Sequence, residues 1–154
     1  MMRAGSLALA LTLVSGCVAD PSVADGAEVR VVTSKTQCGL TAPGLVLARN
    51  AAEWHALTGS VSGQLPDWPD VANQWLLVAS LGQQTTGGHS IGFISADRDG
   101  QDLAIEVKVT HPAPDAMVAQ MITSPCLVMA IPDNDWHRVR VNGEAPFPMS
   151  RTHP

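Results

Sequence analysis

The amino-acid sequence predicts a mainly β domain, an antiparallel sandwich or a barrel-like sheet, with one short helix near residues 51–58. Three observations support this fold class. Short apolar or alternating runs recur between clusters of turn residues, which is typical of antiparallel β architectures. Segment 103–110, LAIEVKVT, places a large apolar residue at every second position, as on a strand with one buried face. One segment, NAAEWHAL at 50–57, has the spacing and capping residues of a helix instead.

Two strands and the helix are predicted in the first half of the chain. The strands are 28–33, EVRVVT, which alternates, and 44–48, GLVLA, which is a short apolar run. The helix is predicted because Asn50 is an N-cap residue and Glu53 follows three residues later, as in a capping box. Gly59 is the predicted stop of this helix.

Further strands are predicted in the second half, separated by short turns. Segment 74–81 is apolar on both faces, so we expect it in the middle of the sheet. Gly100 is the pivot of the turn before 103–110. Segment 116–122 is predicted as a strand, with a helix as its alternative. The remaining predicted strands are 89–96, 126–131 and 136–141.

The N-terminus has the layout of a bacterial lipoprotein signal peptide. Residues 1–16 contain one Arg, a short apolar run and small residues, and Cys17 follows directly. The apolar run is too short to span about 30 Å of hydrocarbon. The sequence VSGC at 14–17 resembles a lipobox, so we expect Cys17 to carry lipid; an ordinary secretory signal with an incidental cysteine is the alternative. Val18 follows the cysteine, which resembles lipoproteins of the outer membrane that face the periplasm or the cell surface.

One domain accounts for the rest of the chain. Residues 17–28 are predicted to be the lipidated cysteine and a flexible tether, 29–145 a single β-rich domain and 146–154 a C-terminal tail. The formal net charge is −5 and the Lys and Arg residues do not cluster, which argues against a nucleic-acid-binding surface. Tyr is absent and aromatic residues make up 4% of the chain, which argues against base stacking.

Cys38 and Cys126 are the two cysteines left once Cys17 carries lipid. In an oxidising compartment such a pair is most simply a disulfide. Two buried free thiols or a metal pair are the alternatives, because one sequence does not show that two distant positions come close.

The stretch GHSIG at 88–92 matches the G-x-S-x-G nucleophile elbow of serine hydrolases. That elbow needs a helix directly after the serine, whereas Ser90 is followed by an alternating strand and a turn. The preferred interpretation is a tight hairpin connection in which Gly87 and Gly88 supply positive φ angles. No catalytic residue is therefore predicted, and Ser90 is the alternative nucleophile. The same turn is a candidate recognition loop, formed by Thr85, Thr86, Gly87, Gly88 and His89.

No cofactor or metal site is predicted from residue spacing. The sequence lacks a phosphate loop and a G-x-G-x-x-G pattern, and its histidines form none of the usual zinc spacings. Spacing does not test a site assembled from residues distant in sequence. The histidines are His55, His89, His111, His137 and His153.

The stretch 75–96, WLLVASLGQQTTGGHSIGFISA, resembles the signature of the protease complex subunit PrcB family, in its C-terminal domain. The shared features are a hydrophobic strand, a glycine, a polar pair, a Thr/Ser-Gly-Gly turn and a second strand, and His89 stands where the family more often has Tyr. The segments LAIEVKVTHPAP, MITSPCLVMAIP and NAAEWHAL resemble further parts of the family. The resemblance covers residues 44–132. It implies a secreted or lipid-anchored accessory domain, named for a lipoprotein partner of a surface protease, and it implies no catalytic residue.

Two classes of function stay open. The first is a non-enzymatic envelope lipoprotein that binds or stabilises another secreted or surface protein, with a protease as the partner that the resemblance implies. Inhibition of a protease by a loop such as GQQTTGG is a variant of this class. The second class is a small serine hydrolase that uses Ser90. The membrane, through the N-terminal lipid, is a predicted partner, and nucleic acid is not.

Overall fold

The computed structural model describes residues 29–70 and 72–154. The predicted signal peptide, Cys17 and the tether up to residue 28 lie outside these ranges. Within the described residues, no helix combines the length and the hydropathy that a membrane span requires. The elements are β1 (Arg30–Lys35), β2 (Pro43–Ala48), α1 (Ala51–Ser60), β3 (Gln74–Leu81), β4 (Ser90–Asp99), β5 (Asp102–Thr110), β6 (Cys126–Pro132), β7 (Arg138–Asn142) and β8 (Met149–Thr152).

Two four-stranded sheets pack face to face, with strand orders β1-β6-β3-β2 and β4-β5-β7-β8. Neighbouring strands run antiparallel, except that β5 and β7 run parallel. At one side of the sandwich β1 lies beside β4, and at the other side β2 lies beside β8. Across the first side, the Ser34 hydroxyl donates a hydrogen bond of 2.8 Å to the Ile91 carbonyl. The predicted mainly β class with one short helix is confirmed, and the sandwich closes in a barrel-like way.

The main core lies between the two sheets, where the inward-facing residues of both sheets interdigitate. Segment 103–110 alternates as predicted, because every second residue of β5 is buried in this core. Burial of one large aliphatic side chain contributes about 1.5–3 kcal/mol, so these rows dominate the stability of the sandwich. Fully buried members are Leu77, Ala79, Ile91, Leu103, Ile105, Leu127, Met129, Ile131, Val139 and Val141.

A second apolar layer covers the outer face of the sheet that contains β3. Trp54 of α1 is fully buried in this layer, and its indole Nε1 donates to the Pro66 carbonyl at 2.9 Å. The Trp68 ring packs edge-on against Trp54 with ring centroids 6.4 Å apart. Leu76 and Val128 face this layer from β3 and β6. Both strands are therefore buried on both faces, which confirms the central position predicted for 74–81.

Cys38 and Cys126 are joined by a disulfide, as predicted, with their Cα atoms 6.0 Å apart. Both residues are fully buried in the second apolar layer. The bond links the segment that follows β1 to the first residue of β6. It therefore holds the connection between β1 and β2 against β6, a central strand of the sheet.

The N-terminus of α1 is capped as the sequence predicts. The Asn50 side chain accepts a hydrogen bond of 2.9 Å from the Glu53 backbone N–H. The Glu53 carboxylate does not return to Asn50; it accepts from the backbone N–H of Arg49 and pairs with the Arg49 guanidinium. These bonds from Arg49 lower the pKa of Glu53. The helix passes through Gly59, the predicted stop, and ends at Ser60.

The hairpin of β4 and β5 contains a β-bulge. The turn uses Gly100 at a φ of +61°, so the predicted pivot is confirmed. The register shifts by one residue between Phe93 and Ser95, which leaves Ile94 as the extra residue, 61% exposed. Because of this shift, Ile91 and Phe93 both face the main core rather than solvent.

The prediction of a strand or helix at 116–122 is wrong. These residues form an irregular loop outside the named elements. Its large apolar side chains are exposed, so no buried face holds the segment in a sheet or on a helix. The sequence pattern misleads here because apolar residues usually indicate burial.

The predicted tail, 146–154, contains a strand, β8, which pairs antiparallel with β7. The sequence gives little sign of it, because its strand residues are mostly exposed and held by backbone pairing. The chain end is also anchored beyond β8. The His153 backbone N–H donates to the His137 carbonyl at 2.8 Å, and its ring packs against the rings of Trp75 and Trp136.

We expect the Cys38–Cys126 bond to be stoichiometric in the purified protein. Thiol labelling of the denatured, unreduced protein should modify neither residue. The bond closes a loop with a sequence separation of 88 residues. Its loss in a Cys38→Ser/Cys126→Ser variant should lower the free energy of unfolding by about 4–5 kcal/mol in the chain-entropy model, as measured by urea denaturation. Full labelling of both thiols before reduction would contradict the assignment.

Candidate functional site

Two loops meet at one end of the sandwich and form the candidate site. The TGG loop, residues 82–89, joins β3 to β4, and the loop 111–122 follows β5. Backbone bonds of 2.7 and 2.9 Å join Gln84 and Thr123, and the Thr123 hydroxyl donates to the Thr86 carbonyl at 2.8 Å. The predicted recognition loop therefore does not project freely, because it is fastened along the segment that leads into β6.

The TGG loop is not the hairpin connection that the sequence predicts. Its flanking strands, β3 and β4, belong to different sheets, so the loop crosses from one sheet to the other. Gly88 has a φ of +87°, as predicted, and a Cβ there would lie 2.9 Å from Pro112 Cβ and 3.0 Å from a Val118 methyl. Gly87 is outside the positive-φ region, so that part of the prediction is wrong. Its N–H donates to the Ala119 carbonyl at 2.9 Å.

The loop 111–122 presents large apolar side chains to solvent. Met117 is fully exposed, and Met121 and Ile122 are 51% and 60% exposed. Three such residues within six positions differ from the single exposed apolar residues that are common on protein surfaces. Methionine is flexible and polarisable, which suits it to contacts with a partner surface.

An open cleft of about 500 Å³ lies beside this loop. Gln37, Gln83 and Ile122 line it. The Gln37 side-chain amide donates a hydrogen bond to the Ile122 carbonyl at 3.0 Å. On the far side the Gly39 N–H donates to the Ser124 hydroxyl at 2.7 Å. The lining is uncharged throughout, with amide and hydroxyl groups that both donate and accept hydrogen bonds.

His89 and His111 face each other where the two loops approach. Ser90 pairs with Thr110 in the ladder, so the two histidines occupy the next opposed positions beyond it. Their Nδ1 atoms are 3.0 Å apart, and their rings meet edge to face with centroids 5.2 Å apart. On the other side of its ring, His89 Nε2 lies 3.4 Å from Thr86 Oγ1.

Partial burial and the neighbouring His111 ring lower the pKa of His89. This shift favours the neutral imidazole of His89, in which one ring nitrogen carries a proton. Thr86 indicates which one, because its hydroxyl donates to the Gly87 carbonyl at 3.0 Å and can then only accept from His89 Nε2–H. His89 Nδ1 consequently directs a lone pair at His111.

Ser90, the alternative nucleophile, is the first residue of β4 and is half-buried. Its neighbours along the chain continue into the β4–β5 ladder. The described part of the chain has one helix, α1, and it precedes Ser90 by 30 residues of sequence. The strand–turn–helix context of a nucleophile elbow is therefore not found among the described residues.

Sequence reasoning located the TGG loop and missed two features around it. The exposure of the loop 111–122 was not predicted, because its apolar residues suggested burial. The pairing of His89 with His111 depends on the bulge at Ile94, since an unshifted ladder from the Gly100 turn would place Pro112 opposite His89. Among the described residues, no cluster of three or more His, Cys, Asp or Glu side chains has the arrangement of a metal site.

Two substitutions distinguish a structural TGG loop from a catalytic one. Gly88→Val should destabilise the domain by about 1–3 kcal/mol, because it combines a strained φ with contacts against Pro112 and Val118. Ser90→Ala should cost much less, unless its hydroxyl makes a buried hydrogen bond. Thermal melts of both variants, beside an esterase assay of the parent, measure this. Parent hydrolysis that disappears in a fully folded Ser90→Ala protein would contradict a structural role.

Residues 76–132 match the family model described as PrcB C-terminal. The matched segment runs from β3 to the last residue of β6 and includes both the TGG loop and the loop 111–122. No curated protein and no solved structure matches this chain. The resemblance to the PrcB family is thus confirmed over the central strands and the candidate site, which carry the PrcB C-terminal match.

Proposed function

We propose that this protein is a non-enzymatic accessory lipoprotein of the cell envelope that binds a component of a protease complex through the loop 111–122. One observation carries the proposal: Met117, Met121 and Ile122 are exposed on a loop that lies inside the PrcB C-terminal match. The family supports the protease complex as the class of partner. The exposed side chains support this loop as the contact.

The loop is held at several points, which favours binding. The Ala119 carbonyl accepts from Gly87 N–H, and Thr123, the residue directly after the loop, is bonded to both Gln84 and Thr86. A surface that is already ordered loses less conformational entropy when a partner binds. The uncharged cleft next to Ile122 extends the same surface with groups that can pair with a partner's backbone.

The position of Ser90 supports a binding role over hydrolysis, because a strand rather than a helix follows it. The small serine hydrolase stays the alternative, and the esterase assay above tests it. The inhibitor variant is less well supported for the segment GQQTTGG, because Gln84, Thr86 and Gly87 are bonded to the neighbouring segment. An extended protease-binding loop would need its backbone free.

The lipid anchor is proposed from the lipobox-like sequence that ends at Cys17, with the outer membrane as location because Val18 follows. The strand directions agree with such an arrangement. Arg30, at the start of β1, pairs with Ala130, whereas Lys35 pairs with Cys126 at the end that holds the loops. The chain therefore enters the sandwich at the end opposite the candidate site, and the loops would face away from an anchoring membrane.

A photoreactive amino acid at position 117 tests the binding surface. In intact cells of the source organism, it should cross-link to a protein that mass spectrometry identifies as a protease or as a protein in complex with one. The same residue at position 94 is the matched control, because Ile94 is also an exposed apolar residue within the family match. Met117→Asp should weaken capture of the cross-linked partner at least tenfold, a cost of about 1.4 kcal/mol.

Equal cross-linking of that partner from positions 117 and 94 would contradict the assignment of the loop. Cross-linking from position 117 only to proteins unrelated to proteolysis would contradict the partner class. Circular dichroism of Met117→Asp should match the parent protein, because the replaced side chain is fully exposed.

Cys17→Ser tests the anchor. We expect the variant to leave the membrane fraction or to keep its signal peptide, because the serine hydroxyl replaces the thiol that would carry lipid. Membrane fractionation with immunoblotting measures both location and size, and the Cys38→Ser/Cys126→Ser variant controls for general loss of cysteine. A Cys17→Ser protein of mature size in the membrane fraction would show that the lipobox interpretation is wrong.

A further inference from the structure

We propose that His89 and His111 form a binding site for a divalent first-row transition metal ion, with Cu²⁺ as the favoured ion. This inference goes beyond the proposed function and does not depend on it, since it concerns the chemistry of two imidazoles. The Nδ1 atoms of the two rings lie 3.0 Å apart. His111 is exposed and His89 is half-buried, so an ion reaches the pair from solvent.

The separation of the two nitrogens fits adjacent positions on one metal ion. Bonds from imidazole nitrogen to such ions are about 2.0–2.1 Å long. Two such bonds to Nδ1 atoms 3.0 Å apart enclose an angle of about 94° at the metal. This is near the right angle of tetragonal Cu²⁺ and narrower than the tetrahedral angle that Zn²⁺ prefers, about 109°. Cu²⁺ also has the highest intrinsic affinity in the divalent series.

His89 is already in the tautomer that such an ion requires. Because the Thr86 hydroxyl donates to the Gly87 carbonyl, its 3.4 Å contact with His89 Nε2 favours the tautomer with Nε2–H, which leaves the Nδ1 lone pair facing His111. A hydrogen bond from the second ring nitrogen to an oxygen is the usual support of a metal-binding histidine. In the metal-free pair, His111 Nδ1–H donates to His89 Nδ1. Metal binding requires His111 to change tautomer: the Nδ1 proton leaves to solvent and Nε2 takes up a proton from solvent, so that both Nδ1 lone pairs face the ion while each ring stays neutral.

The backbone holds both rings in place. Ile91 and Val109 form an opposed pair that is buried in the main core, and His89 and His111 continue the same inward rows by one step. The two rings therefore lie one residue beyond the paired ends of β4 and β5, where each loop is attached to the ladder. Because the described residues add no third His, Cys, Asp or Glu ligand, water or a donor from a bound partner completes the coordination. A bound ion would join the TGG loop to the start of the loop 111–122.

Calorimetric titration of the tag-free protein with Cu²⁺, in a buffer with glycine as competing ligand, tests the site. We expect one tight equivalent and an electron paramagnetic resonance spectrum of a tetragonal ion with nitrogen ligands. His89→Gln and His111→Gln should each weaken the affinity at least about tenfold. His55→Gln is the matched control, since His55 is an exposed histidine on α1, and it should bind as the parent does.

Thr86→Val gives a second test that keeps both ligands and does not depend on the histidine variants being folded. It removes the acceptor for His89 Nε2–H, so the affinity should fall several-fold while the nitrogen signature persists. Parent-like binding by both His89→Gln and His111→Gln would overturn the proposal. An equal loss in His55→Gln, or an unchanged affinity in Thr86→Val, would also overturn it.

Discussion

The burial of β3 and β6 on both faces is the constraint on which the rest of the structure depends. One face of this strand pair packs against the second sheet, and the other packs against Trp54, Trp68 and the disulfide. Strands without a polar face must lie in the centre of their sheet, which leaves the outer positions to β1 and β2. The connection from β3 must then leave the sheet, because both neighbouring positions are taken. This is why the TGG loop crosses between sheets and meets the segment that returns to β6.

The bulge in β4 is a second, more local constraint. The tight turn at Gly100 starts the β4–β5 ladder in one register, and the extra residue Ile94 changes it by one position. Without this change, Gly92 and Ile94 would face the core, and Ile91 and Phe93 would turn toward solvent. The same shift sets His89 opposite His111. Ile94 therefore determines both which residues of β4 pack in the main core and which residues are opposed at the end of the sandwich.

Much of the fold follows from local patterns, and the exceptions have physical reasons. Segment 74–81 was predictable because a strand buried on both faces is a continuous apolar run. Segment 103–110 was predictable because a strand buried on one face has an apolar residue at every second position. The capping of α1 was predictable for a similar reason, since Asn50 acts through contacts within one turn. Strand β8 was not, because backbone pairing with β7 holds it and its side chains carry no pattern. The candidate site was predictable only in part. Thr86 and Gly88 were found from the TGG signature, whereas the histidine pair depends on a register that spacing in the sequence does not contain.

The barrel-like closure also determines how a partner can recognise this protein. Edge strands often bind other chains by adding a strand to the sheet, through their unpaired backbone groups. Here β1 lies beside β4 and β2 beside β8, so each edge of one sheet is shielded by an edge of the other. Shielded edges disfavour strand addition, and they also protect the protein from aggregation through its sheets. Under the proposed function, recognition is left to side chains at the loop end, where selectivity depends on the shape and chemistry of a few residues rather than on the common geometry of the backbone.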